Sequence, residues 1–224
     1  INMCEWYGIS HTSIKSRDDI HKLKLPYTDV GISYGIGIIF KFKEINLFNY
    51  GIWNIHPGDL PKYRGRHPIS WAMINNEKKI GITIHTINEE IDRGQKLSSG
   101  FIQRSIDDDE NDIERKVLNL INVQLIERAK KNYERRLLEP IGKGKYHKNL
   151  SKGFEEINPV KVSSIYLFNL LRSQSSHGGV KIYGKTYITG FFYDECYKNF
   201  FKNALIVECK DEKKIGLFEE IIKL

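Results

Sequence analysis

Three polar residues are of types that would suit an acyl-transfer reaction if the fold brings them together. Asn54 and His56 are two positions apart in a predicted strand, so their side chains leave the same face of it. Asp92 follows the next predicted strand, and adjacent parallel strands would bring its loop close to the other two residues. An amide can stabilise an oxyanion, an imidazole can carry a proton, and a carboxylate can orient and polarise that imidazole. On spacing alone, the alternative that His56 is a structural histidine capped by a turn stays open.

These residues lie within three sequence blocks. The blocks are NIHPGDLPKYRG from residue 54, HPISWAMI from residue 67 and GITIHTINEEIDRGQKL from residue 81. In this order they resemble the signature of the formyltransferase family that uses N10-formyltetrahydrofolate. The resemblance implies a Rossmann-like α/β fold, catalytic roles for Asn54, His56 and Asp92, and N10-formyltetrahydrofolate as the formyl donor.

The loop after His56 points to a subfamily. It reads HPGDLPKYRG, which is more similar to the sugar N-formyltransferases than to the methionyl-tRNA formyltransferases. This resemblance implies formylation of the amino group of a nucleotide-linked amino deoxysugar, with dTDP-4-amino-4,6-dideoxyglucose as the expected acceptor, for bacterial O-antigen lipopolysaccharide. Asp59 and the pair Lys62-Tyr63 depart from the residues common in those enzymes. The alternatives are a methionyl-tRNA formyltransferase, a formyltetrahydrofolate hydrolase and a folate-binding module without turnover.

The same resemblance implies which residues bind the two ligands. In the family the pteridine lies against two loops, mostly through backbone groups. The matching cofactor-binding residues are Tyr34, Gly35, Ile36, Gly37, Ile38, Asn88, Glu89, Glu90 and Ile91. The matching substrate-binding residues are Gly58, Arg64 and Gly65, and a structural ion pair is an equal alternative for Arg64.

The other histidines of this region are interpreted as non-catalytic. His85 lies in the middle of the predicted strand ITIHTI, so we expect a packed or solvent-facing residue whose replacement costs little activity. For His67, contact with a substrate phosphate is the less favoured interpretation. His56, His67 and His85 do not have the spacing of metal ligands, and transfer to an amine needs no metal.

The composition is that of a globular protein with a basic balance. The chain has 224 residues, 40% of them hydrophobic, and its 35 Lys and Arg against 28 Asp and Glu give a net charge of +7. The basic residues are scattered, which disfavours nucleic acid as a partner. The apolar runs are too short to span a bilayer. Three cysteines without a CxxC pair favour a reducing cytoplasm over a disulfide framework.

The start of the chain differs from the family pattern. It begins at Ile1, without an initiator methionine and without the regions of a signal peptide. The first strand, first helix and second strand of the family have no counterpart before Ile1. We therefore expect the natural N-terminus to precede this residue.

Hydrophobic periodicity and turn residues predict the elements that position these groups. Strands are predicted over residues 9–14, 29–40, 51–56, 79–87 and 95–104, and helices over residues 4–8, 68–75, 109–138 and 163–173. We expect residues 1–140 to form the catalytic core around a mostly parallel sheet. Residues 141–224 are expected to form a linker, up to about residue 159, and a small α+β subdomain with β-hairpins.

The predicted subdomain is rich in aromatic residues on its hairpins. One hairpin is predicted over residues 180–192 with its turn at Gly184-Lys185, and a second strand pair over residues 204–209 and 215–224. The aromatic residues are Tyr183, Tyr187, Phe191, Phe192, Phe200 and Phe201. Their number predicts a homodimer interface, with an intramolecular core as the equally favoured alternative.

Overall fold

A computed structural model of the chain describes residues 3–22, 28–121, 123–150 and 156–222. Its helices are α1 Met3–Trp6, α2 Arg17–His21, α3 Phe42–Ile45, α4 Pro68–Ile74, α5 Glu110–Leu120, α6 Val123–Glu134 and α7 Ser164–Gln174, with short 3-10 turns at Pro159–Lys161 and Glu195–Tyr197. Its strands are β1 Gly31–Tyr34, β2 Ile52–His56, β3 Arg64–Gly65, β4 Lys79–Thr86, β5 Gln95–Gln103, β6 Glu139–Pro140, β7 Tyr146–His147, β8 Val180–Ile182, β9 Lys185–Tyr187, β10 Thr189–Phe192, β11 Leu205–Glu208 and β12 Lys214–Phe218. None of the helices in these ranges is long and apolar enough to cross a bilayer.

The largest sheet has five strands in the order β1-β2-β4-β5-β6. Helices pack against it, so the predicted α/β class is confirmed. The prediction of a mostly parallel sheet needs correction for the described strands, because only β1 and β2 are parallel and the other neighbouring pairs are antiparallel. The reason lies in the connections: residues 87–94 join β4 to β5 by a loop that suits a hairpin, whereas parallel neighbours need a longer crossover.

Strand β4 divides the main hydrophobic core from the polar face of the sheet. Ile80, Ile82 and Ile84 alternate along it, are at most 1% exposed, and join residues of β2 and of helices α4, α5 and α6 in one cluster. Thr83 and His85 therefore lie on the opposite face, since successive strand residues alternate between faces. Both are also buried, so this second face must satisfy their polar atoms with hydrogen bonds.

The helix predicted over residues 109–138 is two helices. Its predicted start is confirmed, because Asp109 Oδ1 accepts from the Asp112 backbone N at 2.9 Å and Asp112 Oδ2 accepts from the Asp109 backbone N at 3.1 Å. Ile121 leaves the helical conformation with a ψ of 70°, and its side chain packs against the main core beside Leu120. This break allows both α5 and α6 to pack against strand β5.

A second core lies in the C-terminal part of the chain. Leu167, Leu170 and Leu171 of α7 are fully buried and pack with the small strands and with Ile74 of α4. The predicted helix at 163–173 and the predicted pairing of the last two strands are confirmed. Residues 9–14, in contrast, form no strand in the described structure.

The hairpin of β8 and β9 turns one residue earlier than predicted. Its turn residues are Tyr183 and Gly184, with φ of 51° and 77°, instead of Gly184 and Lys185. Two successive positive φ values are what a type I′ hairpin turn requires, and glycine adopts such a value without strain.

The C-terminal aromatic residues divide into two groups. Tyr187, Phe191 and Phe201 are buried, and the latter two pack with Phe218 in an intramolecular cluster. Tyr183, Phe192 and Phe200 are at least 36% exposed. The expectation that these six aromatic side chains are exposed is therefore wrong for three of them. The homodimer itself stays a prediction.

The segment predicted as a linker contains ordered structure. Within residues 140–159, strand β7 pairs in parallel with the short strand β3, and residues 151–155 lie outside the described residues. The linker prediction is wrong for β7, because backbone hydrogen bonds to a distant loop order a stretch whose Gly and Lys content indicated only a connection.

Gly94 closes the loop of residues 87–94 at a position that has no room for a side chain. A Cβ there would overlap the backbone carbonyl of Thr86, and the Gly94 carbonyl accepts a hydrogen bond from the Ile141 N at 3.0 Å. We expect Gly94→Ala to lower the free energy of unfolding by about 1–3 kcal/mol, because the backbone must shift to admit the methyl group. Urea denaturation followed by circular dichroism measures this change.

Gly142→Ala is the matched control. A Cβ at Gly142 would have nothing within 4 Å, so this variant should stay within about 0.5 kcal/mol of the wild type. Equal stability of the two variants would contradict the close packing of the loop against Thr86.

Candidate active site

The imidazole of His56 lies at the end of β2 in a fixed orientation. The ring is buried, and its Nε2 is 2.7 Å from the backbone oxygen of Tyr63. Since a carbonyl oxygen only accepts, Nε2 carries the hydrogen and Nδ1 is the basic nitrogen. Burial lowers the pKa of His56 below its usual value, against the opposing influence of Asp92 and of the Tyr63 carbonyl. The ring is therefore neutral at pH 7 and able to accept a proton at Nδ1.

Gly58 makes room for this ring. A Cβ at Gly58 would lie 2.7 Å from His56 Nε2. The hydroxyl of Thr83 donates to the Gly58 carbonyl at 2.8 Å and holds the backbone in place. The structure thus gives Gly58, predicted as a substrate-binding residue, a packing contact with the imidazole.

Asp92 faces the same imidazole from the loop after β4. Its Oδ1 is 3.7 Å from His56 Nδ1, and its Oδ2 accepts from the Gly65 backbone N at 2.7 Å. Burial raises the pKa of Asp92, but the groups around the carboxylate, among them the Gly65 N–H, lower it by more, so the net shift is downward. The carboxylate is therefore ionised at neutral pH and faces the basic nitrogen of His56.

The route by which Asp92 reaches His56 differs from the predicted one. Strands β2 and β4 are antiparallel, so the argument from adjacent parallel strands is wrong. Instead, the loop of residues 87–94 folds back over the polar face of the sheet, with Asp92 at a positive φ of 52°. The Arg64 guanidinium holds this loop by donating to the Ile91 backbone oxygen at 2.6 Å.

Asn54 and His85 lie opposite each other in the register of β2 and β4. His85 Nδ1 is 2.9 Å from the Thr86 backbone oxygen, so this nitrogen carries the ring hydrogen. Its Nε2 consequently accepts from the Asn54 side-chain N at 3.2 Å. His85 Nε2 also lies 3.6 Å from Asp92 Oδ1.

His85 is the residue of the cluster that sequence reasoning assigned to packing alone. It is 2% exposed, as a packed strand residue would be, but its Nε2 accepts from Asn54 and lies beside the Asp92 carboxylate. The signal that would have found it is the strand register: once β2 and β4 are known to be antiparallel, the polar residue opposite Asn54 is His85. His67 lies apart from this cluster and is paired with Asn149 at 2.6 Å.

The two predicted folate-binding segments are both exposed loops. Residues 35–38 follow β1, and the parallel register of β1 with β2 places Tyr34 opposite Ile55, next to the His56 end of the strand. In the other segment, Asn88 holds its own loop: its side chain accepts from the Glu90 N at 3.0 Å and donates to the Arg93 carbonyl at 3.2 Å. Residues 88–91 thus form a stabilised turn directly before Asp92.

Comparison with known proteins assigns this arrangement to a family. The family model described as "Formyl transferase" matches residues 2–129, which include all the residues of the polar cluster. The chain is 35% identical over 127 residues to the methionyl-tRNA formyltransferase of Caldanaerobacter subterraneus, covering 56% of this chain and 41% of that protein. It is 28% identical over 215 residues to the methionyl-tRNA formyltransferase of Thermodesulfovibrio yellowstonii, covering 94% of this chain and 69% of that protein.

A solved structure shares the fold over nearly the whole chain. The N-formyltransferase of Helicobacter canadensis, in complex with folinic acid and dTDP-3-aminofucose, superposes with a TM-score of 0.65 at 19% identity over 96% of this chain and 80% of that protein. This similarity includes the C-terminal part, which lies beyond the range of the family model. The α/β fold, the match over residues 2–129 and the cluster of Asn54, His56 and Asp92 lead to one conclusion: the chain belongs to the formyl transferase family.

Proposed function

We propose that this chain transfers a formyl group from N10-formyltetrahydrofolate to the amine of a nucleotide-linked amino deoxysugar. The observation that carries the proposal is the convergence of Asn54, a neutral His56 and an ionised Asp92 on one face of the sheet. Membership of the formyl transferase family supports the same reaction class.

Each of the three residues has a role in this proposal. An amide has two N–H donors and Asn54 uses one on His85, so the second can donate to the formyl oxygen as negative charge develops there. His56 takes the proton of the attacking amine at Nδ1 and would return it to N10 as the bond between the formyl carbon and N10 breaks, which leaves a formamide and tetrahydrofolate. The resulting imidazolium faces the Asp92 carboxylate, 3.7 Å away, which stabilises its positive charge.

The exposed loops beside the cluster fit a flat heteroaromatic donor. Tyr34, Ile36 and Ile91 are 38%, 43% and 39% exposed, and a Cβ at Gly35 or Gly37 would meet nothing within 4 Å. Apolar side chains next to accessible backbone groups suit a pteridine, which presents both a ring face and hydrogen-bonding edges. When bound, N10-formyltetrahydrofolate supplies the carbon that the amine attacks.

The acceptor is inferred from the loop of residues 57–65. Its sequence, PGDLPKYRG, is similar to that of sugar N-formyltransferases. This similarity supports an amino sugar as the acceptor, with a 4-amino sugar as the first expectation. The second candidate is the methionyl group of an initiator tRNA, because both curated relatives described above are methionyl-tRNA formyltransferases. The net charge of +7 suits that acceptor as well.

A panel of acceptors tests the proposal directly. We expect incubation with N10-formyltetrahydrofolate and dTDP-linked 3- and 4-amino sugars to formylate a sugar amine. Mass spectrometry would detect the product by its net gain of one carbon and one oxygen atom. His56→Asn serves as the matched control. Formyl transfer to methionyl-tRNA, with binding that weakens steeply as salt rises, would establish the second candidate instead. Formate release without an acceptor would indicate a hydrolase, and folate binding without turnover of any substrate would contradict the enzyme proposal.

The three polar residues should behave as one unit. His56→Asn removes the nitrogen that takes the proton, and Asp92→Asn removes the charge that stabilises it, so each is expected to abolish most turnover. The double variant should be barely worse than either single variant, because the residues act in one step. Asn54→Ala should lower kcat by about two to three orders of magnitude, as loss of an oxyanion donor does elsewhere. Steady-state kinetics on the accepted amine measures these effects.

Asn111→Ala provides the comparison for Asn54→Ala, because Asn111 is an exposed asparagine of α5. This variant should keep the wild-type kcat. Near-native kcat in the Asn54, His56 and Asp92 variants together would show that the reaction takes place at another site.

His85 is expected to contribute to kcat through Asn54. His85→Asn has a side chain too short to accept the Asn54 hydrogen bond, so kcat should fall by about tenfold while KM for the amine changes little. His85→Gln, which extends further toward Asn54, should recover part of the loss. His21→Asn, at a histidine paired with Glu44, is the control. An unchanged kcat in His85→Asn would restore the interpretation of His85 as a packing residue.

A further inference from the structure

The segment of residues 145–147, named here the strap, lies against the loop that carries Tyr63, Arg64 and Gly65. The Arg64 N donates to the Lys145 carbonyl at 3.3 Å, and the Arg66 N donates to the His147 carbonyl at 3.1 Å. In this pairing Gly65 lies beside His147. A Cβ at Gly65 would overlap the His147 carbonyl, and Gly65 has a positive φ of 97°. The close approach of the two backbones therefore requires glycine at this position.

The loop held by the strap makes both contacts that orient the catalytic pair. The Tyr63 carbonyl accepts from His56 Nε2 at 2.7 Å, and two residues later the Gly65 N donates to Asp92 at 2.7 Å. Any displacement of this short stretch would move both hydrogen bonds together. The position of the loop thus determines which nitrogen of His56 is basic and where Asp92 lies.

His147 is the residue that fixes the strap to the loop. It is 3% exposed, and its ring stacks on Tyr63 with a centroid distance of 5.2 Å and an interplanar angle of 22°. Trp71 of α4 also lies against the His147 ring, with a centroid distance of 5.1 Å, and the Trp71 indole N donates to the Lys148 carbonyl at 3.1 Å. Burial, with the nearby charge of Lys145, lowers the pKa of His147, which favours the neutral ring in this stack.

We propose that His147 is a positioning residue for the active site, and that its stack on Tyr63 keeps the His56 hydrogen on Nε2 and Asp92 against Nδ1. The ring does not touch the reacting groups, and it acts through the backbone of Tyr63 and Gly65. The effect on turnover rests on the proposed function, whereas the effect on the His56 tautomer does not.

Histidine-selective nitrogen NMR of the full chain tests the positioning without any substrate. The His56 signals are identified by their loss in His56→Asn. We expect the wild type and His147→Phe, which keeps a flat ring in the stack, to show His56 only with hydrogen on Nε2. His147→Ala should show a mixture of both tautomers, because the Tyr63 carbonyl is no longer held in place.

Kinetics provides the second measurement. His147→Ala should lower kcat by about 10- to 100-fold, as small displacements of catalytic groups do, with a smaller change in KM, and His147→Phe should recover most of the rate. Phe201→Ala is the control, because it removes a buried aromatic ring from a different cluster. It should reduce the free energy of unfolding without changing the His56 tautomer or kcat.

The outcomes separate the two proposals. A folded His147→Ala with the wild-type tautomer and the wild-type kcat would overturn the positioning role. If that variant does not fold, His147→Leu, which keeps bulk but not the flat ring, decides by the same criteria. If the wild type transfers no formyl group to any acceptor, the proposed function fails, and the tautomer comparison still decides the role of His147.

Discussion

The hydrogen bond from His56 Nε2 to the Tyr63 carbonyl is the constraint on which the rest of the site depends. Because a carbonyl cannot donate, this 2.7 Å contact leaves Nδ1 as the basic nitrogen. Nδ1 then faces the ionised Asp92, and a proton taken there would meet a negative charge. Reversing the tautomer would remove the base from the side of the ring that the carboxylate faces.

Holding such a polar cluster in the fold has an energetic cost. Burial works against the charged forms of both His56 and Asp92. For Asp92 the groups around the carboxylate, among them the Gly65 N–H, outweigh that cost, whereas His56 stays neutral. The cluster therefore pairs an ionised Asp92 with a neutral His56, and a neutral imidazole is the form that can accept a proton.

Three distant parts of the chain meet to build this site. Residues 54–65 provide the amide, the imidazole and the orienting carbonyl, and residues 85–92 provide a second histidine and the carboxylate. Residues 145–148 contact the first part through the pairing of β7 with β3, and the Lys148 carbonyl accepts a hydrogen bond from Trp71 of α4. Helix α4 joins the two hydrophobic cores, since Met73 packs in the first and Ile74 in the second. The C-terminal part of the chain is thus in contact with the structure that carries the site.

The sequence by itself determined the local features of this protein. Strands β2, β4 and β5, helix α4 and the start of helix α5 near Asp109 were predictable, because hydrophobic periodicity and turn residues act over a few positions. The resemblance of three blocks also pointed to Asn54, His56 and Asp92 as candidate catalytic residues. Only the tertiary structure decided the antiparallel direction of β4, the position of His85 opposite Asn54, and the pairing of β7 with β3. These depend on backbone groups distant in sequence, and every residue has a backbone carbonyl, so no residue type marks Tyr63 as the one that accepts from His56.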